Sequence, residues 1–195
     1  MQDDKAMTHA DDRIKSALKS LLCTKPFKAI TIQDICNESG LSRKTFSKHF
    51  TSKEDVVAAQ MHDDFVAPVR ALRALLPMDE IKSSTSLMLE KTHITMYENK
   101  DYYLSVTKGC GMAWFIETYT EQSYRLNLEL YEERGFPAEE VDFVAHYYAA
   151  SQAMVFEWWL SRGMDVPPKQ VAKMMNTWGF AHWREIEENS HYWHE

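Results

Sequence analysis

Apolar residues recur at three- and four-residue spacing along most of the chain, a pattern that predicts α-helices and no strands. The first clear stripe runs from about Asp11 to Cys23 and consists of Ile14, Ala17, Leu18, Leu21 and Leu22. The pair Lys25-Pro26 ends this helix because proline cannot continue it. The ten residues before the stripe are polar and lack this periodicity, so we expect them to be disordered.

Two short helices joined around a glycine follow the first helix. Thr31 caps the second helix, with Asp34 three residues later as an approximate capping box. Gly40 ends that helix, since glycine adopts the left-handed conformation at little cost, and Ser42 caps the third. The apolar positions of these two helices are Ile32, Ile35, Cys36, Phe46 and Phe50. Together with the first helix they predict a tri-helical helix-turn-helix unit.

Helical spacing continues through the rest of the chain. Ser52 caps a fourth helix that we expect to run from about Lys53 toward Val69. Further helices are expected at about 80–98, 102–107, 112–133, 138–162 and 168–185, with breaks at Gly109-Cys110-Gly111, Gly135 and Gly163. The predicted fold is all-α: an N-terminal tri-helical helix-turn-helix domain over residues 1–60, joined by a long helix to a helical domain over residues 61–195.

The net charge of −7 conceals an uneven distribution. Residues 1–60 contain ten Lys and Arg against eight Asp and Glu, a net +2, whereas residues 61–195 contain twelve against twenty-one, a net −9. Within residues 25–53 six basic residues face two acidic ones, a net +4. A local basic patch on an acidic body suits a protein that contacts phosphates at one end only.

The third helix carries a polar and basic face that a generic helical bundle would not need. This face consists of Arg43, Lys44, Thr45, Ser47 and Lys48. Arg43 or Lys44 can pair with guanine edges in the major groove. The third and fourth helices begin after Ser42 and Ser52. Their N-termini present free N–H groups beside basic residues, an arrangement that suits phosphate binding. These features favour DNA recognition over a purely structural bundle.

The segment from Thr31 to Gln60 resembles the tetracycline-repressor (TetR) family of bacterial one-component regulators. The matching elements are Ile30-Thr31, Ile35, Gly40-Leu41-Ser42, Thr45-Phe46, His49-Phe50 and Ser52-Lys53-Glu54. The resemblance implies that Thr31 and Lys53 contact phosphates, that Arg43, Lys44 and Thr45 read bases, and that His49 contacts the DNA backbone. At Ser47 the family usually has an aromatic residue, so we expect an altered sequence preference in which Lys44 or Lys48 replaces the missing contact.

The same resemblance implies that residues 61–195 form a ligand-binding and dimerisation domain. Helices 138–162 and 168–185 carry the apolar surface and small residues expected of a dimer interface, although these aromatic residues can also fill an ordinary core. The candidate interface residues are Ala149, Ala153, Phe156, Trp159, Met174 and Trp178. The candidate pocket residues, for which a core position is the alternative, are Met88, Tyr103, Trp114, Phe115, Tyr119, Tyr147 and Ser151. Their character indicates a small hydrophobic or aromatic effector.

Other classes of protein are not favoured by the sequence. It contains no phosphate-binding glycine loop, nucleophile elbow or HExxH motif, so we expect no enzyme and no cofactor. Cys23 and Cys36 are expected as small buried residues, and Cys110 either marks a helix break or is a reactive thiol. His191 and His194 can share a metal, but surface positions are favoured and we expect no metal site. No apolar run is long enough for a membrane span or secretion signal, so a cytoplasmic protein is expected.

The predicted function is therefore a DNA-binding transcriptional regulator that acts as a homodimer on a palindromic operator, with an effector that releases it from DNA. An activator of the same family and an interaction protein with a weakened DNA reader remain alternatives.

Overall fold

The computed structural model describes residues 2–75, 78–133 and 137–178. Within them the chain forms α-helices and no strand, which confirms the all-α fold. The helices are α1 (Gln2–Leu22), α2 (Ile32–Ser39), α3 (Arg43–His49), α4 (Lys53–Met61), α5 (Ala67–Ala74), α6 (Met78–Glu98), α7 (Lys100–Cys110), α8 (Met112–Glu132), α9 (Ala138–Ser161) and α10 (Pro168–Trp178). A 3₁₀ turn (Phe27–Ala29) precedes α2, and a π-helical turn (His62–Val66) joins α4 to α5.

Helix α1 is longer than the sequence predicts. It begins at Gln2 instead of about Asp11, so the expectation of a disordered N-terminus is wrong for residues 2–10. The buried side of α1 is formed by Ile14, Ala17 and Leu18, as the periodicity predicts.

Helices α1, α2 and α3 pack into the predicted tri-helical unit. Both halves of a capping box are present at Thr31, whose hydroxyl accepts from the Asp34 N–H while the Asp34 carboxylate accepts from the Thr31 N–H. Ile35 and Phe46 are almost completely buried between the three helices. Helix α4 starts with a second capping box, between Ser52 and Asp55, so each short helix begins where a polar side chain satisfies its free N–H groups.

The predicted long helix from Lys53 toward Val69 is interrupted. Helix α4 ends at Met61, and the π-helical turn separates it from α5. Pro68 lies in the first turn of α5, where its missing N–H removes the α-helical hydrogen bond to the residue four positions earlier. The π-helical turn lies directly before this proline, and its residues Asp64, Phe65 and Val66 are buried.

The predicted break between α7 and α8 is confirmed at Gly111, whose φ of +93° favours glycine. Gly109 lies within α7 and touches the N-terminal unit. A Cβ atom at Gly109 would stand 2.4 Å from the Cβ of Phe27, closer than two carbon atoms approach each other. Only a glycine permits this contact between α7 and the 3₁₀ turn.

One apolar core runs from α1 to α10. At its centre the Phe65 ring packs against the rings of Tyr103, Tyr119 and Phe156, with centroid distances of 5.4 to 5.9 Å. Because Phe65 belongs to the π-helical turn, the segment that follows α4 is anchored in the C-terminal core.

The cysteines divide between surface and core. Cys36 is buried, as predicted, but Cys23 is exposed, which corrects the expectation that it fills the core. The reason is that α1 ends at Leu22, so Cys23 already lies in the turn. Cys110 is partly buried at the end of α7, and burial raises the pKa of its thiol to about 12, which disfavours the reactive thiolate.

Candidate nucleic-acid interface and internal cavity

The turn between α2 and α3 determines the orientation of α3 relative to α2. Gly40 adopts the left-handed conformation with φ +65°, and Leu41 N–H then donates to the Cys36 carbonyl oxygen at 3.0 Å. The Arg13 guanidinium donates to the Ser39 carbonyl oxygen and lies 3.0 Å from where a Gly40 Cβ would be. A side chain at this position would be strained in φ and would crowd Arg13.

Helix α3 buries one side and exposes the other. Phe46 and Phe50 face the core, with ring centroids 6.0 Å apart. The exposed residues of the helix and its cap are Ser42, Arg43, Lys44, Ser47 and Lys48. An exposed basic side on a short, capped helix is the form that fits the major groove.

The other predicted DNA-contacting residues have partners within the chain. The Thr45 hydroxyl lies 2.9 Å from Ser42 Oγ, and the Thr31 hydroxyl donates to the Asp34 carboxylate at 2.8 Å. His49 Nδ1 lies 2.6 Å from the Asp11 carboxylate, which ties α3 to α1. These three side chains therefore also stabilise the tri-helical unit of α1, α2 and α3, which we call the reader.

Lys53 links the start of α4 to the 3₁₀ turn. Its ammonium donates to the carbonyl oxygens of Phe27 at 2.7 Å and Ile30 at 2.8 Å, and it stands over the Phe27 ring at 4.4 Å from the centroid. An ammonium has three N–H donors, so one remains for a phosphate. Lys53 thus has a structural role besides the phosphate contact that the sequence predicts.

An internal cavity of about 100 Å³ lies among α5, α6, α8, α9 and the π-helical turn. Its wall is formed by Phe65, Val66, Val69, Met88, Leu89, Thr92, His93, Tyr119, Gln122, Ser123, Leu126, Asn127, Leu130, Tyr131, Gln152 and Phe156. Aromatic rings make up one part of this wall, and hydroxyl and amide groups make up another. Phe65 and Val66 bring the cavity next to the segment that follows α4.

Two of the seven predicted pocket residues, Met88 and Tyr119, line this cavity. The remaining five lie elsewhere: Tyr103 and Phe115 are buried in the core, Trp114 is partly buried, and Tyr147 and Ser151 lie outside the cavity wall. The sequence also missed the polar wall residues. His93 was detectable, because it interrupts the apolar positions Leu89 and Met96 on the buried side of α6.

The candidate dimer residues divide in the same way. Ala149, Ala153, Phe156 and Trp159 are at most 3% exposed within a single chain, so the expectation that they meet a partner is corrected. They face inward because α9 packs along α8 on that side. The outer side of α9 instead exposes Phe143, Tyr147, Ala150, Met154 and Trp158, which we call the α9 outer stripe. Met174 and Trp178 of α10 are exposed, as a contact surface requires.

A buried carboxylate connects the π-helical turn to α7. Asp64 accepts hydrogen bonds from the Tyr103 hydroxyl and from Gln60 Nε2, the latter at 3.0 Å. Burial raises the pKa of Asp64, while the hydrogen bonds from Tyr103 and Gln60 oppose that shift. This network holds the turn in place against α7.

Two family models match the chain. The model for bacterial regulatory proteins of the tetR family matches residues 14–59, and a model for a transcriptional regulator C-terminal region of TetR proteins matches residues 84–178. The chain belongs to the TetR family. It is therefore a DNA-binding transcriptional regulator with a helix-turn-helix domain and a C-terminal ligand-binding domain, and this family consists in general of transcription factors, not enzymes.

Two solved structures share the fold of this chain. The dihydroxyacetone kinase operon activator DhaS is 17% identical with a TM-score of 0.62, covering 90% of this chain and 96% of that one. A TetR transcriptional regulator from Streptococcus agalactiae 2603V is 21% identical with a TM-score of 0.52, covering 91% and 97%. No curated protein matches the sequence.

The described part of the chain has neither a candidate membrane span nor a candidate metal site. No helix there is long and apolar enough to cross a membrane. Nor does any group of three or more His, Cys, Asp or Glu side chains there form a candidate metal site. The histidines at positions 191 and 194 lie outside the described residues.

Proposed function

We propose that this TetR-family regulator is a repressor that an effector releases from DNA, and that it acts in the cytoplasm as a homodimer on a palindromic operator. The observation that carries the proposal is a single side chain that joins the cavity wall to α4. Gln122 lines the cavity, and its amide Nε2 donates to the Ala58 carbonyl oxygen in α4 at 2.9 Å. A change in the cavity wall therefore acts directly on the helix that follows the DNA reader.

The coupling follows from the position of α4. Its N-terminus carries Lys53, which holds the 3₁₀ turn of the reader, and its C-terminus continues into Phe65 of the cavity wall. An effector that favours a different position of α4 changes the spacing of the two readers in a dimer, and DNA requires one particular spacing. The aromatic walls of the cavity support an effector with an apolar face.

The α9 outer stripe supports the homodimer. Phe143, Tyr147 and Met154 are 68%, 54% and 71% exposed, an unusual density of large apolar side chains for one side of a helix in water. Ala150 lies among them and permits close approach of a second helix. Exposed Met174 and Trp178 on α10 extend the candidate surface.

An activator is the second candidate. Its support is that DhaS, a structure of similar fold, carries the name of an operon activator. A reporter gene under the chain's own upstream DNA distinguishes the two, because deletion of the regulator raises expression for a repressor and lowers it for an activator.

Fluorescence anisotropy with labelled DNA from upstream of its own gene tests the proposal. We expect saturable binding that weakens steeply with salt, because phosphate contacts release counterions. Unlabelled upstream DNA should compete better than a scrambled duplex. Absence of salt-sensitive binding would overturn the proposal and favour an interaction protein with a weakened reader.

A further inference from the structure

Three buried polar atoms without hydrogen-bond partners belong to residues of one cavity wall. They are His93 Nε2, Gln122 Oε1 and Asn127 Nδ2, from α6 and α8. Buried polar groups are paired in the great majority of cases, because an unpaired one keeps its desolvation cost. Their concentration around one cavity indicates that a bound molecule supplies the partners.

The protonation of His93 follows from its surroundings. Its Nδ1 lies 2.6 Å from the Leu89 carbonyl oxygen, which can only accept, so Nδ1 carries the proton. The side chain is 1% exposed, and burial lowers its pKa to about 4. The ring is therefore neutral at physiological pH, and Nε2 is a hydrogen-bond acceptor.

The orientation of the Gln122 amide is determined in the same way. Its Nε2 donates to the Ala58 carbonyl oxygen, so the opposite orientation would place two oxygen atoms against each other. Gln122 Oε1 is therefore a second acceptor without a donor. Asn127 is 6% exposed, and its Nδ2 is a hydrogen-bond donor without an acceptor.

The composition and volume of the cavity restrict the charge and the size of a ligand. None of the described residues that line the cavity is Asp, Glu, Lys or Arg, so a charged ligand would be buried without a counterion. The volume of about 100 Å³ is small beside the roughly 300–1,000 Å³ of pockets for drug-sized ligands. The Phe156 ring stacks on His93 at 4.9 Å between centroids and forms a flat apolar side.

We propose that the effector is a compact uncharged diol whose two hydroxyls donate to His93 Nε2 and Gln122 Oε1, with an oxygen that accepts from Asn127 Nδ2. Its carbon skeleton lies against the rings of Phe156 and Tyr119. This assignment rests on the proposed effector-controlled function, and it adds two hydroxyls to the small hydrophobic or aromatic effector that the sequence predicts.

Calorimetric titration of the full chain without DNA tests the assignment. The aromatic probes are catechol, phenol and benzene, which carry two hydroxyls, one hydroxyl and none. The aliphatic probes are propane-1,2-diol and propan-1-ol. Benzoate serves as the charged analogue. We expect each hydroxyl to tighten binding about tenfold, equivalent to about 1.4 kcal/mol, and benzoate not to bind. The better of the two diols distinguishes an aromatic from an aliphatic skeleton. Equal affinity for catechol and benzene would overturn the proposal.

Variants assign the hydroxyls to their partners. His93→Phe retains a ring but removes one acceptor, so the tenfold preference of catechol over phenol should disappear. Thr118→Val is the control, since this α8 hydroxyl bonds the Trp114 carbonyl oxygen and does not line the cavity. If His93→Phe does not fold, judged by circular dichroism, Asn127→Leu tests the third contact: it removes the donor to the ligand oxygen, so the preference of catechol over benzene should fall about tenfold. An unchanged preference in a folded variant would contradict the assignment.

The binding test separates the two proposals. A protein that binds upstream DNA but neither diol refutes only the effector class. A protein that binds a diol but not DNA refutes the repressor and leaves the cavity assignment intact. Release of the labelled DNA by the diol, and not by benzene, would support both.

Discussion

Gln122 on α8 donates a hydrogen bond to the carbonyl oxygen of Ala58 on α4 at 2.9 Å. This contact joins the cavity wall to the last turn of the helix that starts at the DNA reader. Ala58 O also accepts from the His62 N–H, so the contact lies where α4 gives way to the π-helical turn. A local change in one side-chain amide therefore reaches the helix that carries Lys53.

Replacing Gln122 by Glu tests this contact through pH. A carboxylate facing the Ala58 carbonyl oxygen is repelled, whereas a protonated carboxyl can still donate, so the pKa of the new side chain should be raised in the folded state. A raised pKa stabilises the fold at low pH and loses that effect as pH rises. We expect the variant to lose about 1–3 kcal/mol relative to wild type between pH 5 and pH 8, measured by urea unfolding. Gln33→Glu, at an exposed site on α2, should show no such trend.

Gly109→Ala tests the contact between α7 and the reader. The new methyl group would meet the Phe27 Cβ, which is fixed by its backbone and cannot rotate away. We expect a loss of about 1–3 kcal/mol in the free energy of unfolding. The exposed neighbour Lys108→Ala should change it by less than about 0.5 kcal/mol. Equal stability of both variants would mean that α7 and the 3₁₀ turn can move apart at no cost in unfolding free energy.

The sequence predicted the reader better than the cavity, for a physical reason. Caps, Gly40 and the apolar stripe of α3 are local signals, and each acts within a few residues. The cavity depends on which sides of α6, α8 and α9 face each other, which no local pattern specifies. Phe156 illustrates the difference: an aromatic residue on α9 suits a partner surface or a core equally well, and only the packing against Phe65 and His93 decides.

Arg43→Ala should alter the sequence preference of the reader. Its exposed side chain has the geometry for a bidentate contact to guanine, worth about 1–3 kcal/mol of discrimination at one base pair. Anisotropy with single-base variants of the operator should therefore show relaxed preference at one position of each half-site. Lys53→Ala should instead weaken binding to all sequences alike and reduce the salt dependence. Identical base preferences in wild type and Arg43→Ala would contradict the base-reading role.

His93 should make stability depend on pH in the mildly acidic range. Its pKa is lowered by burial to about 4, whereas the unfolded chain protonates near pH 6.5. Stability is thus lost as pH falls from about 6.5 toward 4, by roughly 2–3 kcal/mol. His93→Phe should lack this part of the loss, measured as the difference in unfolding free energy between pH 7 and pH 4.5. If the unfolding free energies of wild type and His93→Phe change with pH in parallel, the folded state accommodates the protonated His93 ring.

Met154→Glu should separate the proposed dimer. Met154 is the most exposed of the large apolar residues in the α9 outer stripe, at 71%, and a carboxylate there would be buried without a counterion if a second α9 covers it. We expect wild type to behave as a dimer at micromolar concentration in light scattering and the variant as a monomer with unchanged helix content. Leu87→Glu places the same charge on an exposed apolar position of α6 and should leave the dimer intact. A monomeric wild type, or a dimer that persists in Met154→Glu, would exclude the α9 outer stripe as the interface.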